Sequence, residues 1–504
     1  MPTYLAPGVY MEEVSSGSKP ISGVGTAVAA FVGLAEKGPV NSPTLVTNWT
    51  QFVENFGEFV EGSYMAHSVY GYFLNGGGVA YVVRVGANGA ADKPAARAEL
   101  PSGADKAVSA YKISALEPGA TGDDISVEIA DPAEAGDDNF KLIVRKGQKV
   151  EETFDTVSTK KGPINVVTQV KQKSKLIKVE ESGGTVAVPE KGRFPLGGGN
   201  APVPVNLSPD AYVGSSADRT GFGGLEAIDE ITMLSVPDLM AAYQQGVIDM
   251  EGLKAVQLAM IAHCELMNNR LAILDPPPGL NAQQIKEWRM DLAGYDSKQA
   301  ALYWPWIKVM DPLKGEAVFM PPSGHMAGIW ARTDNTRGVH KAPANEIVRG
   351  AITLELQITR GEQEQLNPNG VNCIRSFPGK GIRVWGARTL SSDPEWRYVN
   401  VRRLFNFVEQ SILNSTDWVV FEPNDFRLWI SVQRNVIAFL RNVWRSGALF
   451  GEIENAAFWV KCDAENNPPE SRDVGELHID IGIAPVKPAE FVVFRIQQIA
   501  SGGE

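Results

Sequence analysis

The segment EITMLSVPD, residues 230–238, is a short apolar run with the composition of a buried strand, and it ends at a proline. A long helical pattern follows it to about residue 269. Two similar runs come next, RLAILDPPP at 270–278 and, after another helical stretch, ALYWPWIKVMDP at 301–312. Strands that alternate with helices predict a largely parallel sheet covered by helices on both faces.

The flanking segments divide into two kinds. VAYVVRV at 79–85 is a continuous apolar run, which predicts another buried strand. From about 92 to 199 the pattern changes to short alternating segments, such as DISVEIA and FKLIVRKG, separated by Gly, Pro and Asp clusters. We therefore expect a β-rich domain inserted into an α/β domain.

Both ends of the chain are apolar. Residues 1–22 have the features of an extended arm that includes Val9, Tyr10 and Met11. The chain closes with KPAEFVVFRIQQIASGGE, in which Phe491, Val492, Val493, Phe494 and Ile496 favour a strand. A strand with unpaired backbone groups needs a partner, and neither end has an evident one in its own chain.

The last third of the chain predicts two helices. One has an apolar stripe of Val401, Leu404, Phe405, Val408 and Ile412. The other, at about 432–446, places Arg434, Arg441 and Arg445 on one face. This row of arginines is either a solvated surface or a positive surface that faces an acidic partner.

Composition excludes several classes of protein. The chain has 504 residues, 44% hydrophobic and 21% charged, and a net charge of −12. Such a charge argues against binding to nucleic acid, which needs clustered Lys and Arg. Three widely spaced cysteines argue against a disulfide framework. The N-terminus lacks a secretory signal and no apolar segment is long enough to span a membrane, so we expect synthesis in soluble form in the bacterial cytoplasm.

A search for catalytic chemistry finds no candidate. The five histidines have no metal-ligand spacing, Gly379-Lys380 lacks the flanks of a P-loop, and no nucleophile elbow is present. Asp123 and Asp124 lie at a turn that enters a strand, where Asp commonly bonds its own backbone. The sequence therefore predicts no catalytic, cofactor-binding or metal-binding residues.

Several long blocks do point to a family. They are WGARTLSSDPEWRYVNVRRLFNFVEQSI (385–412), FEPND (421–425), GALFGEIENAAFWVKCDAENNPP (447–469), IGIAPVKPAEFVVFRI (481–496), YDSKQAALYWPWIKVMDP (295–312) and GHMAGIWARTDNTRGVHKAPAN (324–345). In their order along the chain, these blocks resemble the contractile tail sheath proteins of phage tails, R-type pyocins and extracellular contractile injection systems. YLAPGVYMEEV (4–14) and ALEPGATGDDISVEI (115–129) are similar to the family's opening strand and inserted domain.

The resemblance implies an α/β and α+β multidomain protein. Its expected parts are an N-terminal exchange arm (1–22), a subtilisin-like α/β core (23–91 and 200–370), an inserted β-rich outer domain (92–199), a C-terminal α+β sheath domain (371–486) and a C-terminal exchange strand (487–504). The sequence motifs of subtilases are missing, so the resemblance implies a structural protein rather than an enzyme.

The implied function is that of a sheath subunit that stacks as hexameric rings around an inner tube and contracts to drive the tube through a membrane. The implied partners are further copies of the chain, the inner tube protein, and baseplate and terminal cap proteins, without insertion of the sheath into a membrane. A static tube or shell protein and a hydrolase on a subtilisin-like fold are the alternatives.

Strand exchange between subunits is part of what the resemblance implies. The apolar residues named above in the two arms would complete a sheet in a neighbouring subunit. SSGSKPISG (15–23) and APVKP (484–488) have the composition of the connecting linkers. In this interpretation Arg434, Arg441 and Arg445 would contact the inner tube.

Overall fold

The structure, a computed structural model, describes residues 20–86, 95–103, 109–116, 122–182, 187–198, 208–312 and 315–495. Of the predicted arm residues, Val9, Tyr10, Met11 and Ile496 lie outside these ranges.

Twenty strands and thirteen α-helices form in the described residues. In chain order the strands are Val28–Gly33 (β1), Thr44–Val46 (β2), Val79–Arg84 (β3), Arg97–Pro101 (β4), Ser109–Ala115 (β5), Ile125–Ala130 (β6), Asn139–Lys146 (β7), Lys149–Ser158 (β8), Ile177–Glu181 (β9), Gly192–Pro195 (β10), Met233–Ser235 (β11), Leu271–Leu274 (β12), Ala300–Trp304 (β13), Ile307–Asp311 (β14), Glu316–Met320 (β15), Ala351–Leu354 (β16), Val371–Phe377 (β17), Gly381–Val384 (β18), Phe458–Lys461 (β19) and Asp480–Ile483 (β20). The helices are Trp49–Phe56 (α1), Met65–Leu74 (α2), Val166–Lys173 (α3), Pro209–Val213 (α4), Asp238–Gln244 (α5), Met250–Met267 (α6), Ala282–Glu287 (α7), Ser323–Arg337 (α8), Arg360–Leu366 (α9), Val399–Ser415 (α10), Phe426–Arg445 (α11), Glu454–Ala457 (α12) and Pro469–Asp473 (α13).

The largest sheet has eight strands in the order β18-β17-β13-β12-β11-β1-β3-β2. Its six inner strands run parallel to one another, whereas the edge strands β18 and β2 are antiparallel to their neighbours. Parallel neighbours need long crossover connections, and most of the connections in this sheet contain helices. This is the largely parallel sheet that the alternation of strands and helices predicts.

A separate hydrophobic core covers each face of this sheet. On one face Ala30 and Val32 of β1 pack in a cluster with residues of α5 and α6. On the other face Phe31 packs edge-to-face against Tyr72 of α2, with ring centroids 5.5 Å apart. Alternate residues of β1 therefore pack into the hydrophobic cores on opposite faces of the sheet, which explains why β1 is buried along its whole length.

Two details differ from the sequence prediction. Residues 301–312 are not one strand, because β13 ends at Trp304 and β14 begins a separate three-stranded sheet of order β15-β14-β16. Pro305 lies at the break and has no N–H to donate to a ladder. The eight-stranded sheet also continues through β17 and β18, so it extends beyond residue 370, where we expected the C-terminal domain to begin.

The region predicted as a β-rich insertion contains two antiparallel sheets, of order β10-β6-β7-β8 and β4-β5-β9. Their inward-facing side chains, among them Val127, Leu142 and Ile113, form one hydrophobic cluster with α3. The alternation of buried and partly exposed residues along β7 is typical of a sheet with one solvated face.

The C-terminal part is built on two long helices. Asp425 caps α11 by accepting hydrogen bonds from the N–H groups of Arg427 and Leu428, so the helix begins at Phe426, six residues earlier than predicted. Helix α10 buries Val401, Leu404 and Val408 of its predicted stripe. It also buries polar residues, since it lies between two cores.

A buried ion pair joins α10 to the central part of the chain. The guanidinium of Arg403 donates two hydrogen bonds to Asp334 of α8, at 2.8 and 2.6 Å, and a third to the carbonyl of Thr26 at 2.8 Å. The two side chains are only 4% and 2% exposed. Arg403 also lies over the ring of Trp330, 4.9 Å from its centroid. Both charges are therefore fully compensated inside the protein.

Replacing Arg403 with Met should lower the free energy of unfolding by about 3–5 kcal/mol, because Asp334 would remain as an unpaired buried charge. Urea denaturation followed by tryptophan fluorescence measures this loss. Arg427→Met on the exposed side of α11 is the matched control and should change stability by no more than about 0.5 kcal/mol. The double variant Arg403→Met/Asp334→Leu should recover much of the loss. A single Arg403→Met variant as stable as the control would contradict the stabilising role of this ion pair.

Candidate assembly surfaces

The segment before the C-terminal arm is held on the body of the protein. Ala484 donates its N–H to Ala457 O at 2.9 Å, and Phe450 donates to Ala484 O at 2.8 Å. Val486 donates to Ala448 O at 3.2 Å and accepts from the Asn400 side chain. The resemblance implied that APVKP is a connecting linker. In the structure, the backbone of Ala484 and Val486 in this segment is hydrogen bonded to its own chain.

Glu490 ends this held segment. Its carboxylate accepts two hydrogen bonds from the Arg388 guanidinium, at 3.0 and 2.6 Å. It also accepts one from the Asn367 amide at 2.7 Å and one from the Tyr398 hydroxyl at 2.9 Å. Burial raises the pKa of Glu490, but these hydrogen bonds outweigh burial and hold the pKa below its ordinary value. The carboxylate is therefore bound as an anion.

The next four residues have no such support. Phe491, Val492, Val493 and Phe494 are 74%, 68%, 77% and 85% exposed. Within the described part of the chain they lie in no strand. Four consecutive exposed apolar side chains form an unusual surface for a soluble protein and mark a site of interaction.

A small sheet nearby in sequence has only two strands. β19 and β20 pair antiparallel, with Phe458 opposite Ile483 and Lys461 opposite Asp480. Neither strand pairs with a third strand in the residues that the structure describes. The side-chain amide of Gln433 on α11 donates to Val460 O at 2.9 Å and helps to hold the sheet on the helix. A two-stranded sheet is marginal alone, so this one depends on packing against the helix.

The described residues that follow the predicted N-terminal arm lie along α10. The N–H of Ser22 donates to Ser415 Oγ at 3.2 Å, and that of Val24 donates to Ser411 Oγ at 3.1 Å. Gly23 lies so close to Phe407 that a Cβ there would be 3.1 Å from its ring. Residues 22–24 are therefore fixed, although they lie at the end of the predicted linker.

The row of arginines on α11 is less uniform than the sequence predicts. The apolar face of the helix is buried in the C-terminal core, and Arg434 and Arg445 are exposed. Arg441, in contrast, donates two hydrogen bonds to Glu454, at 2.7 and 2.9 Å, and these lower the pKa of that carboxyl. Glu454 therefore neutralises Arg441, and the positive surface consists mainly of Arg434 and Arg445.

The chain matches two models of one protein family. The phage tail sheath protein central domain matches residues 224–390, and the phage tail sheath C-terminal domain matches residues 391–499. Together these matches cover more than half of the chain. The chain belongs to the phage tail sheath protein family. The boundary between the two models follows the last strand of the eight-stranded sheet.

Individual relatives in this family are distant. A putative prophage major tail sheath protein of Pseudomonas aeruginosa (strain UCBPP-PA14) is 27% identical over 248 residues, which are 48% of this chain and 61% of that relative. Among solved structures, the sheath of the anti-feeding prophage in its contracted state has a TM-score of 0.60 at 23% identity, covering 98% of this chain and 100% of that one. A chain of the anti-feeding prophage baseplate has a TM-score of 0.59 at 24% identity, covering 99% and 100%. At these identities the likeness establishes a common fold.

Tail sheath proteins are structural proteins and not enzymes. Four polar side chains near the central sheet are inaccessible. They are Asp238 and Asp275, which follow β11 and β12, and Ser323 and His325 of α8, and all four are buried. Asp238 accepts hydrogen bonds from Leu34 N at 2.6 Å and Met65 N at 3.0 Å, and a Cβ on Gly33 would lie 2.5 Å from its carboxylate. No substrate could reach such a carboxylate, so we assign these residues to structure.

Within the described residues, no group of His, Cys, Asp and Glu side chains has the arrangement of a metal site. None of the described helices is long and apolar enough to cross a membrane.

The sequence prediction missed Glu490 and its partners. Arg388 and Glu490 both lie in the blocks that resemble the family, and each is a charge among apolar or small residues, which is the one signal that could have identified them.

Asp275 should make stability depend on pH. Burial raises its pKa from the ordinary 3.8 to about 7, although Ser323 N donates to it at 2.9 Å. The folded chain then holds a proton that the unfolded chain releases, so the contribution of this group to stability falls as the pH rises from about 4 to about 7. Relative to Asp275→Asn, the wild-type chain should lose about 2–4 kcal/mol over this window.

Urea denaturation of both proteins at several pH values measures the difference. The comparison is necessary because His263 and His325, whose pKa values burial lowers to about 4, change stability in the opposite direction. A stability difference that is constant from pH 4 to pH 7 would contradict the assignment.

Proposed function

We propose that the chain is the structural subunit of a contractile sheath, which stacks as hexameric rings around an inner tube and contracts to drive the tube through a membrane. The observation that carries this proposal is the exposed apolar segment Phe491–Phe494, in a member of the tail sheath family whose C-terminal sheet has two strands among the described residues. The segment and the sheet supply the two halves of an intermolecular contact. The anti-feeding prophage sheath, with which the chain shares its fold, was solved in a contracted state.

Assembly proceeds by strand exchange in this proposal. Val9, Tyr10 and Met11 in one arm, and Phe491 to Phe494 with Ile496 in the other, add strands to the sheet of a neighbouring subunit, which is β-augmentation. Burial of one such side chain contributes about 1.5–3 kcal/mol. Each ladder hydrogen bond contributes about 1 kcal/mol. A few residues therefore give a strong link between subunits.

The energy for contraction comes from the assembly itself. The extended sheath is a kinetically trapped state, and new contacts between the bodies of subunits supply the work when it contracts. The exchanged strands keep the subunits connected while the bodies move. Contraction of this kind needs no nucleotide, cofactor or metal.

We infer the partners from the same arrangement. Further copies of the chain form the sheath, an inner tube protein lies within it, and baseplate and terminal cap proteins close its ends. Arg434 and Arg445, with a smaller contribution from Arg441, face an acidic surface of the tube. The subunit is made in soluble form in the bacterial cytoplasm and becomes part of a phage tail or an injection particle.

We also propose a domain organisation. A subtilisin-like α/β core contains the eight-stranded sheet, a β-rich outer domain at about 92–199 interrupts this core, and an α+β domain with α10, α11, β19 and β20 follows it. The arms at 1–22 and from about 491 lie at the ends. The β17 and β18 pairing supports a boundary between core and C-terminal domain after residue 384 rather than at 370.

Deleting residues 491–504 should abolish assembly without destabilising the subunit, since the side chains of Phe491 to Phe494 are exposed. Electron microscopy should show extended and contracted tubular particles for the wild-type chain and none for the variant, whose melting temperature should be unchanged. Val492→Ser/Phe494→Ser should be more damaging than the matched pair Phe491→Ser/Val493→Ser. Alternate residues face opposite sides of a strand, so Val492 and Phe494 would share a side with the apolar Ile496, whereas the other pair would share one with the charged Arg495. A wild-type chain that stays monomeric would contradict the function, and a single lattice would favour a static tube.

Reversing the charge of the exposed arginines should weaken assembly on the tube. We expect Arg434→Glu/Arg445→Glu to reduce the yield of sheath on purified tubes roughly tenfold, with a larger effect at low salt. Arg441→Gln is the matched control on the same helix face, and its effect should be small because Glu454 already pairs with Arg441. Equal yields for the double variant and the wild type would assign these arginines to a solvated surface.

A further inference from the structure

Four hydrogen bonds from three side chains converge on the carboxylate of Glu490, and they come from separate parts of the chain. Asn367 follows α9, Arg388 follows the eight-stranded sheet, and Tyr398 precedes α10. The side chain of Arg388 is only 10% exposed and that of Glu490 19%. A bidentate guanidinium contact with two further donors occupies both carboxylate oxygens and fixes their orientation.

Arg388 is itself held rigidly by the central sheet. Its N–H donates to Asn372 Oδ1 at 2.7 Å, and its carbonyl accepts from Asn372 Nδ2 at 2.8 Å. Asn372 is fully buried in β17. The ring of Tyr398 adds a contact, with the Arg388 guanidinium 6.0 Å from its centroid. Glu490 is therefore tied to the central core, although it belongs to the segment that leaves the small C-terminal sheet.

The support for the chain changes abruptly at this residue. Residues 484–486 are held by backbone hydrogen bonds to residues 448–457, and Glu490 is held by its side chain. The four residues that follow are at least 68% exposed. The last fixed point before the exposed apolar segment is thus Glu490.

We propose that Glu490 is the positioning residue that fixes the point and direction in which the C-terminal arm leaves the body. The inference rests on the proposed strand exchange. The hinge between the arm and the body lies just after Glu490 rather than at residues 484–488. In the assembled sheath, Glu490 and Arg388 transmit force from the exchanged strand to the central sheet. The arm therefore moves together with the core.

Glu490→Gln tests this proposal, because it keeps the shape of the side chain but removes its negative charge. It also replaces one carboxylate oxygen with an amide NH2 group, which donates hydrogen bonds and so cannot accept them from the groups that bond Glu490. Glu476→Gln is the matched control, since Glu476 pairs only with the exposed His478 at 3.0 Å among the contacts described for its side chain. Hydrogen exchange of the full chain before assembly and the yield of particles seen by electron microscopy are measured together, with the melting temperature as a check on folding.

Glu490→Gln should speed amide exchange at residues 484–490 at least tenfold and reduce the yield of particles at least tenfold, at a temperature where the melting curve shows that the variant is folded. The control should change neither quantity. Unchanged exchange, or faster exchange with a normal yield of particles, would overturn the proposal. If the wild-type chain forms no particles, the sheath function fails, and exchange at residues 484–490 alone then decides whether Glu490 fixes the departing segment.

Tyr398→Phe provides a second, milder variant that removes one donor and keeps the ion pair. It should speed exchange at residues 484–490 at least twofold. If Glu490→Gln does not fold, an unchanged exchange rate in Tyr398→Phe overturns the proposal, and a raised rate supports it.

Discussion

The buried ion pair between Arg403 and Asp334 holds helix α10 on the central core, and both ends of the described chain are positioned relative to this helix. Tyr398, just before its first turn, bonds Glu490, and Ser411 and Ser415 near its end bond residues 22–24. Seventeen residues of helix span about 25 Å. One rigid element therefore sets the distance between the two points from which the proposed arms would depart.

The contrast between a stable body and the exposed segment Phe491–Phe494 provides a physical reason for the proposed assembly. The cores of the central sheet, the inserted β region and the C-terminal helices are complete within one chain, whereas Phe491 to Phe494 bury little of their surface. Their burial can contribute free energy only when a partner covers them, and in the proposed sheath that partner is another subunit. An exposed strand edge is usually a hazard that proteins suppress. In the proposed sheath, the capacity of an exposed strand to pair with another chain links the subunits.

Local patterns in the sequence predicted the parts of the fold that depend on local physics. Alternation of apolar runs and helical stripes predicted the parallel sheet and helix α10, because burial imposes its period directly on the sequence. The break at Pro305 and the cap at Asp425 also had local signals, and both were missed. The contact of Arg388 with Glu490 joins residues 102 positions apart, and no local pattern contains that pairing. The pairing of Arg441 with Glu454 likewise became visible only from the fold.

The most direct test of strand exchange is a high-resolution electron microscopy reconstruction of the assembled particle. Strand exchange predicts that residues 491–495 form a strand hydrogen bonded to the β19 and β20 sheet of another subunit, in the extended and the contracted particle alike. A reconstruction in which this sheet stays two-stranded, or in which residues 491–495 pair only within their own subunit, would contradict it.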